Sequence, residues 1–266
     1  DIALLFLASS TLSLSPMSPK FFTLLLTWVA ITGGTHSLNS VFDLNGDSIS
    51  RKNSGLANGL ISVKGGLIQA ILLKITGLML LLSFNNISVF ALGVCCICLS
   101  FLYSIPPIRL KRIPLVSTLT LASFYTLEYL SLHLVLGGLL DLKSSIFILI
   151  IFLNLFVFFL CKDYRDFFAD VNVGDKNLLT TLGTTAYAKI LSVFLILPIL
   201  ISTLFFSLNL LDRSIVVSLL VLLPLNLYLI RLISGKDSVK RGIRIHKIAL
   251  LDLIMLLILF SFLYYL

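Results

Sequence analysis

Charge is what this sequence has least of. Of its 266 residues only 12% are Asp, Glu, Lys or Arg, while 58% are hydrophobic. Soluble domains carry about 25% charge, so an ordinary water-soluble globule is excluded. Acids are scarcer than bases, twelve against twenty, and Glu128 is the single glutamate. The formal charge of +8 would suggest nucleic acid in a soluble protein. Here the bases lie in short loops beside apolar runs, so membrane orientation explains them and no nucleic-acid partner is expected. Histidines number three, and His36, His133 and His246 lack the H-E-x-x-H spacing of a zinc hydrolase. The four cysteines, Cys95, Cys96, Cys98 and Cys161, sit in apolar runs with no ligands at zinc spacing. They read as small packing residues. No cleavable signal is legible at the start, where Asp1 stands instead of methionine, and the beginning reads as a fragment.

What is abundant is apolar length. The mean hydropathy is +1.09, and a spanning helix needs roughly 20 apolar residues. Nine hydrophobic segments are predicted, near residues 2–15, 21–44, 65–84, 87–104, 114–137, 144–165, 186–209, 214–232 and 245–266. Most are apolar all round rather than striped, as helices surrounded by lipid are. The expected fold is an all-α membrane bundle of about nine transmembrane helices, a single domain over 1–266. Loops after the second, fourth, sixth and eighth segments hold most of the cations, including Arg51, Lys52, Arg109, Lys111, Arg112, Lys176 and Arg244. The positive-inside rule puts those loops in the cytoplasm and the C-terminus outside.

A weak internal repeat accompanies this pattern. Segment two ends in N-S-V-F-D-L-N-G-D, Asn39 to Asp47, and segment six in K-D-Y-R-D-F-F-A-D, Lys162 to Asp170. Both finish in D-x-x-x-D, four segments apart. Two pseudo-repeated four-helix units would set the clusters face to face. The i, i+4 spacing puts Asp43 with Asp47, and Asp166 with Asp170, on one helix face a turn apart. Like charges so placed repel, and a divalent cation shared with a phosphate removes the cost. Magnesium takes oxygen ligands and commonly binds through one or two carboxylates plus substrate phosphates. The competing reading is a pair of solvated helix ends. Four of only twelve acids in two matched pairs argue against it.

The loop Y-S-I-P-P-I-R-L-K-R, Tyr103 to Arg112, ends its helix at Pro106 and Pro107. Arg109, Lys111 and Arg112 then lie at the membrane face of the carboxylates. Two readings stand side by side: the cations grip diphosphate oxygens, or they anchor topology.

These stretches together resemble the signature set of the UbiA family of intramembrane prenyltransferases. The likeness rests on N-x-x-x-D-x-x-x-D, on Y-S-x-P-P-x-R-L-K-R and on K-D-x-R-D-x-x-x-D-x-x-x-G. G-L-A-N-G-L-I-S, Gly55 to Ser62, and L-L-T-T-L-G, Leu178 to Gly183, are similar to the segments that follow the two acid motifs in that family. Three positions depart from the pattern: Ser40 stands where an Asp is usual, Gly55 where a proline is, and Ala169 where a Gly is common. None removes an expected metal ligand.

The resemblance implies a magnesium-dependent transfer of a polyprenyl group from its diphosphate to an acceptor within the membrane. Asn39, Asp43, Asp47, Asp166 and Asp170 are the implied catalytic set, with the four aspartates as Mg2+ ligands. Tyr103, Arg109, Lys111, Asp163, Arg165, Arg51 and Lys52 are the implied substrate contacts. The loop resembles the branch that acts on phenolic acids such as 4-hydroxybenzoate. A prenylated glycerol phosphate, as in archaeal ether-lipid synthesis, is the alternative acceptor. From a different class, a cation-coupled transporter would use paired acids near the bilayer midplane on broken helices. Acids at helix ends beside basic loops suit a lipid diphosphate better. The D-G-x-x-A-R pattern of phosphatidyltransferases is absent.

Other ionisable groups fall inside apolar segments and mark cavities or buried pairs. Glu128 is placed to contact an acceptor or to make an interhelical hydrogen bond. Lys74 and Asp252 are read as lying nearer the interface, with Lys74 snorkelling. His36, a turn before Asn39, is placed to orient that cluster, while His133 and His246 read as structural.

Overall fold

The computed structural model describes residues 19–44, 47, 55–135, 138–235 and 239–263. Among them are eight α-helices: α1 Pro19–Phe42, α2 Val63–Leu82, α3 Ile87–Ser104, α4 Val116–Val135, α5 Leu142–Val173, α6 Leu178–Ser207, α7 Arg213–Ile233 and α8 Val239–Leu263. A single 3-10 turn, Leu110–Arg112, interrupts the connection between α3 and α4. The predicted segments two to nine each become one helix. The first predicted segment lies outside the described residues, as do Arg51 and Lys52.

Capping chemistry sets the boundaries. Ser62 Oγ accepts from Gly65 N at 3.0 Å to start α2, and Asn86 Oδ1 accepts from Ser88 N to start α3. Asp141 and Ser144 close a capping box on α5, and Asn177 with Thr180 closes another on α6. Ile105, before Pro106, is extended and ends α3. One predicted boundary is corrected. The segment expected over 144–165 runs on to Val173, where Gly174 stops it in the left-handed region at φ 75°. The segment expected from 186 follows a kink at Gly183, whose φ 75° and ψ 161° are not helical, and the Asn177 cap adds a short Thr-rich helical turn from Leu178 before that kink.

Six helices, α1, α2, α3, α5, α6 and α7, are long and apolar enough to cross a membrane. Their outward residues include Leu26, Met79, Val193 and Leu200, each more than half exposed. Such a surface suits lipid, and helices satisfy their own backbone hydrogen bonds there. Helices α1 to α4 pack on one another, α5 to α8 do likewise, and α4 against α5 joins the halves. At that seam Tyr125 stacks on Phe159 with ring centroids 5.4 Å apart. Small residues let α1 and α2 approach closely: a Cβ on Gly34 would stand 2.9 Å from the Ala70 carbonyl oxygen.

Lys74 does not snorkel. It is 3% exposed, buried between α1, α2 and α3. Its ammonium donates to Thr35 Oγ1 at 3.1 Å and to Ser100 Oγ, and it lies 5.1 Å from the Phe101 ring centroid. Two hydroxyls and a ring face satisfy the charge internally, so reaching the interface is unnecessary. Glu128 is 1% exposed, and neither carboxyl oxygen has a hydrogen-bond partner among the described residues. The expected interhelical hydrogen bond is not made there.

Candidate functional site

The first acid row sits where α1 gives way to the next turn. Asp43 N donates to Asn39 O at 2.9 Å, and Asp47 N to Asp43 O at 2.8 Å. These are helical i to i−4 bonds, so Asn39, Asp43 and Asp47 share one face a turn apart. Asp43 and Asp47 are 6% and 7% exposed. Charge so nearly buried requires partners.

The α3–α4 connection supplies them for Asp43. Arg109 Nη2 donates to Asp43 Oδ1 at 2.9 Å and to the Phe42 carbonyl at 3.3 Å. Lys111 pairs with the other Asp43 oxygen. To aim its side chain, Arg109 adopts φ 40°, ψ 63°, a left-handed conformation uncommon outside glycine. Such strain, of order 1–3 kcal/mol, gathers at functional sites.

The second acid row lies in the last turns of α5. Asp166 is paired with Lys162 at 3.1 Å and with Arg165, whose Nε and Nη2 reach its two oxygens at 2.7 and 3.0 Å. Asp170 Oδ2 accepts from Asn177 Nδ2 at 2.7 Å, so the residue that caps α6 also holds this carboxylate. Asp163 faces α6, where the Tyr187 hydroxyl lies 3.1 Å from its Oδ2 and 2.8 Å from the Leu160 carbonyl.

One loop joins the two rows. Lys111, already on Asp43, lies 3.9 Å from Asp175, and Arg112 Nε reaches Asp175 at 2.9 Å. Asp175 follows directly on the α5 cap, and its N donates to Asp170 O at 2.9 Å. Tyr103, in the last turn of α3, is within electrostatic reach of Lys162, Asp43, Asp163 and Asp166. The ends of α1, α3 and α5 therefore meet at one end of the bundle. Of the residues expected there, Asn39, Asp43, Asp47, Tyr103, Arg109, Lys111, Asp163, Arg165, Asp166 and Asp170 are present. Lys162, Asp175, Asn177 and His246 join them and were not among the expected site residues. Lys162 and Asp175 flank the acid motif in the sequence, and their charge was the available signal. Asn177 was not read in the sequence, and both its cap on α6 and its tie to Asp170 come from the structure. His246 carries no sequence signal, because α8 is brought in from the far end of the chain.

The donors suit the magnesium ion that the acid pairs imply. They are all oxygens, as a hard divalent cation requires, and Asn39 Oδ1 is a buried acceptor without a hydrogen-bond partner among the described residues, one turn from Asp43. Among the described residues no three Asp, Glu, His or Cys side chains converge into a metal-holding group. The acids are presented in pairs along the ends of α1 and α5.

The comparisons with known proteins fit this geometry. Over 175 residues the chain is 27% identical to the chloroplastic 2-acylphloroglucinol 4-prenyltransferase of Humulus lupulus, covering 62% of this chain and 43% of that protein. It therefore spans less than half the length of this curated relative. A structure of digeranylgeranylglyceryl phosphate synthase superposes with a TM-score of 0.73 at 18% identity, covering 100% of this chain and 92% of that one. A UbiA homolog from Archaeoglobus fulgidus, bound to GPP and Mg2+, superposes at 0.70 with 17% identity over 98% of this chain and 96% of its own. The apo UbiA homolog from Aeropyrum pernix K1 gives 0.73 at 12% identity over 96% and 93%. At these identities the solved structures establish a shared fold. The profile of the UbiA prenyltransferase family matches residues 2–251, nearly the whole sequence, and the chain belongs to that family.

Proposed function

We propose that this membrane prenyltransferase moves a polyprenyl group from its diphosphate to an aromatic acceptor, with magnesium as the required ion. The observation that carries the reading is the Lys111 bridge, which ties the acid row of α1 to the end of α5 across a cationic loop. Charge balance supports it. Six carboxylates (Asp43, Asp47, Asp163, Asp166, Asp170, Asp175) stand against five cations (Arg109, Lys111, Arg112, Lys162, Arg165). A diphosphate adds roughly three negative charges, so divalent charge is still needed for neutrality even with Arg51 and Lys52 counted in.

Asn39, Asp43, Asp47, Asp166 and Asp170 hold the ion. Magnesium, when bound, supplies positive charge to the leaving diphosphate. Arg109 and Lys111 hold Asp43 neutralised until the donor arrives, then offer their N–H groups to phosphate oxygens. Arg51 and Lys52 add charge from the adjoining loop. The allylic carbon–oxygen bond breaks, and its electron pair leaves with the diphosphate. The Tyr103 ring offers its π face to the carbocation. The apolar bundle keeps water away from it until an acceptor ring carbon forms the new bond and loses its proton. Two pseudo-repeated four-helix units and a ninth, N-terminal helix complete the proposed architecture. Its motif loops are cytoplasmic and its C-terminus is outside.

The test is a product assay on purified protein in lipid nanodiscs, with geranyl diphosphate and Mg2+. 4-Hydroxybenzoate and a geranylgeranylated glycerol phosphate are offered separately. Prenylated 4-hydroxybenzoate is the expected product. A product formed only on the glycerol phosphate overturns the acceptor while keeping the donor half. Absence of magnesium-dependent binding of geranyl diphosphate removes the donor half too.

A further inference from the structure

We infer that His246 on α8 is a positioning residue for the second acid row: its Nε2 accepts a hydrogen bond from Arg165 and so fixes the guanidinium fork that aims the Asp166 carboxylate. The inference rests on the proposed role of Asp166 in donor binding.

Adjacent residues on a helix do not face each other, since successive side chains diverge by about 100° around the axis. The Arg165–Asp166 pair therefore needs something to turn the guanidinium back toward its neighbour. Arg165 Nη1 lies 2.9 Å from His246 Nε2, while Nε and Nη2 lie on the two Asp166 oxygens. All three nitrogens are committed, and the plane of the fork is set. Guanidinium has donors only, so Nε2 carries the lone pair and the imidazole hydrogen sits on Nδ1. The ring is held in turn by Phe158, with centroids 5.2 Å apart.

A second observation explains how α8 delivers this ring. A Cβ on Gly242 would collide with the Tyr164 carbonyl oxygen and lie 2.9 Å from its carbonyl carbon. Only glycine permits so close an approach of α8 to α5. Gly242 and His246 are i and i+4, on the same face. The contact that brings the helices together is thus one turn from the hydrogen bond that orients Arg165.

The test compares His246→Phe, which keeps the aromatic packing and removes the acceptor, with His246→Gln, which keeps an acceptor. The readout is the Mg2+ concentration for half-maximal binding of geranyl diphosphate, with thermal unfolding as a check on folding. The Phe variant is expected to need about tenfold more Mg2+, the usual effect of losing an outer hydrogen bond to a ligand. The Gln variant stays within about twofold, and both unfold like the parent. In an Arg165→Ala background, His246→Phe adds nothing. If His246→Phe does not fold, His246→Leu takes its place. An unshifted Mg2+ requirement in the acceptor-less variant, or equal impairment in both variants, overturns the positioning role provided Asp166→Ala abolishes binding. Normal binding by Asp166→Ala instead overturns the donor-site reading on which it rests.

Discussion

Arg109 donates from Nη2 to Asp43 Oδ1 at 2.9 Å and from the same nitrogen to the Phe42 carbonyl at 3.3 Å. A left-handed backbone is maintained to make that double contact. A loop that served only to anchor topology would need the charge but not the geometry. Arg109→Lys keeps the charge and loses the guanidinium's capacity for a bidentate contact to phosphate. Affinity for geranyl diphosphate should fall about tenfold, the loss of one charge-assisted hydrogen bond. Unchanged affinity would show that the loop is an anchor.

Asp43→Ala and Asp166→Ala should each reduce prenyl transfer to background while the protein still inserts in membranes. Residues acting as a unit are not additive, so the double variant should lose little more than either single one. Initial rates across a magnesium titration check this. Near-parental turnover of either single variant at limiting magnesium would sink the paired-acid reading.

Asn177 does two jobs, capping α6 through Thr180 N at 2.7 Å and holding Asp170 at 2.7 Å. Asn177→Ala should lower thermal stability by about 0.5–2 kcal/mol, as loss of a cap does. Asn177→Ser keeps a capping hydroxyl but is too short to reach Asp170. It should melt close to the parent and yet bind geranyl diphosphate more weakly. Full binding by the Ser variant would confine Asn177 to capping.

The two ends of the bundle should face opposite compartments. In a chain freed of its native cysteines, Lys240→Cys should react with an impermeant maleimide added on the cytoplasmic side. Asn209→Cys should react only from outside. Cytoplasmic labelling at Asn209 would reverse the orientation drawn from the loop cations.

Local patterns in the sequence were reliable where the physics is local. The i, i+4 acids lie on one face because the helical bonds Asp43 N to Asn39 O and Asp47 N to Asp43 O carry α1 onward by a turn. Predicted segments two to nine were legible as helices, six of them because lipid demands long apolar runs. Hydropathy misplaced the end of α5 and missed the capped turn that precedes the Gly183 kink in α6. Both lie in polar stretches where Gly174 and Asn177 decide, and neither contributes to an apolar window. Lys74 was misread because nothing in its own segment announces Thr35 and Ser100 on the flanking helices. His246 was read as structural for the same reason: its partner Arg165 lies on a helix far away in the chain. Glu128 was noticed as the only glutamate, yet its burial without a hydrogen-bond partner among the described residues emerges only from the packing.

Three of the six carboxylates at this end of the bundle come with their own counterions. Arg109 and Lys111 sit on Asp43, Lys162 and Arg165 on Asp166, and Arg112 on Asp175. A nascent chain carrying bare acid rows would face a heavy electrostatic toll on entering the bilayer. Here each of these anions is neutralised by a residue of the same polypeptide. In the assembled bundle Asp43, Asp166 and Asp175 therefore need no added ion to be balanced, and the loop between α3 and α4 acts as a built-in clasp between the two halves.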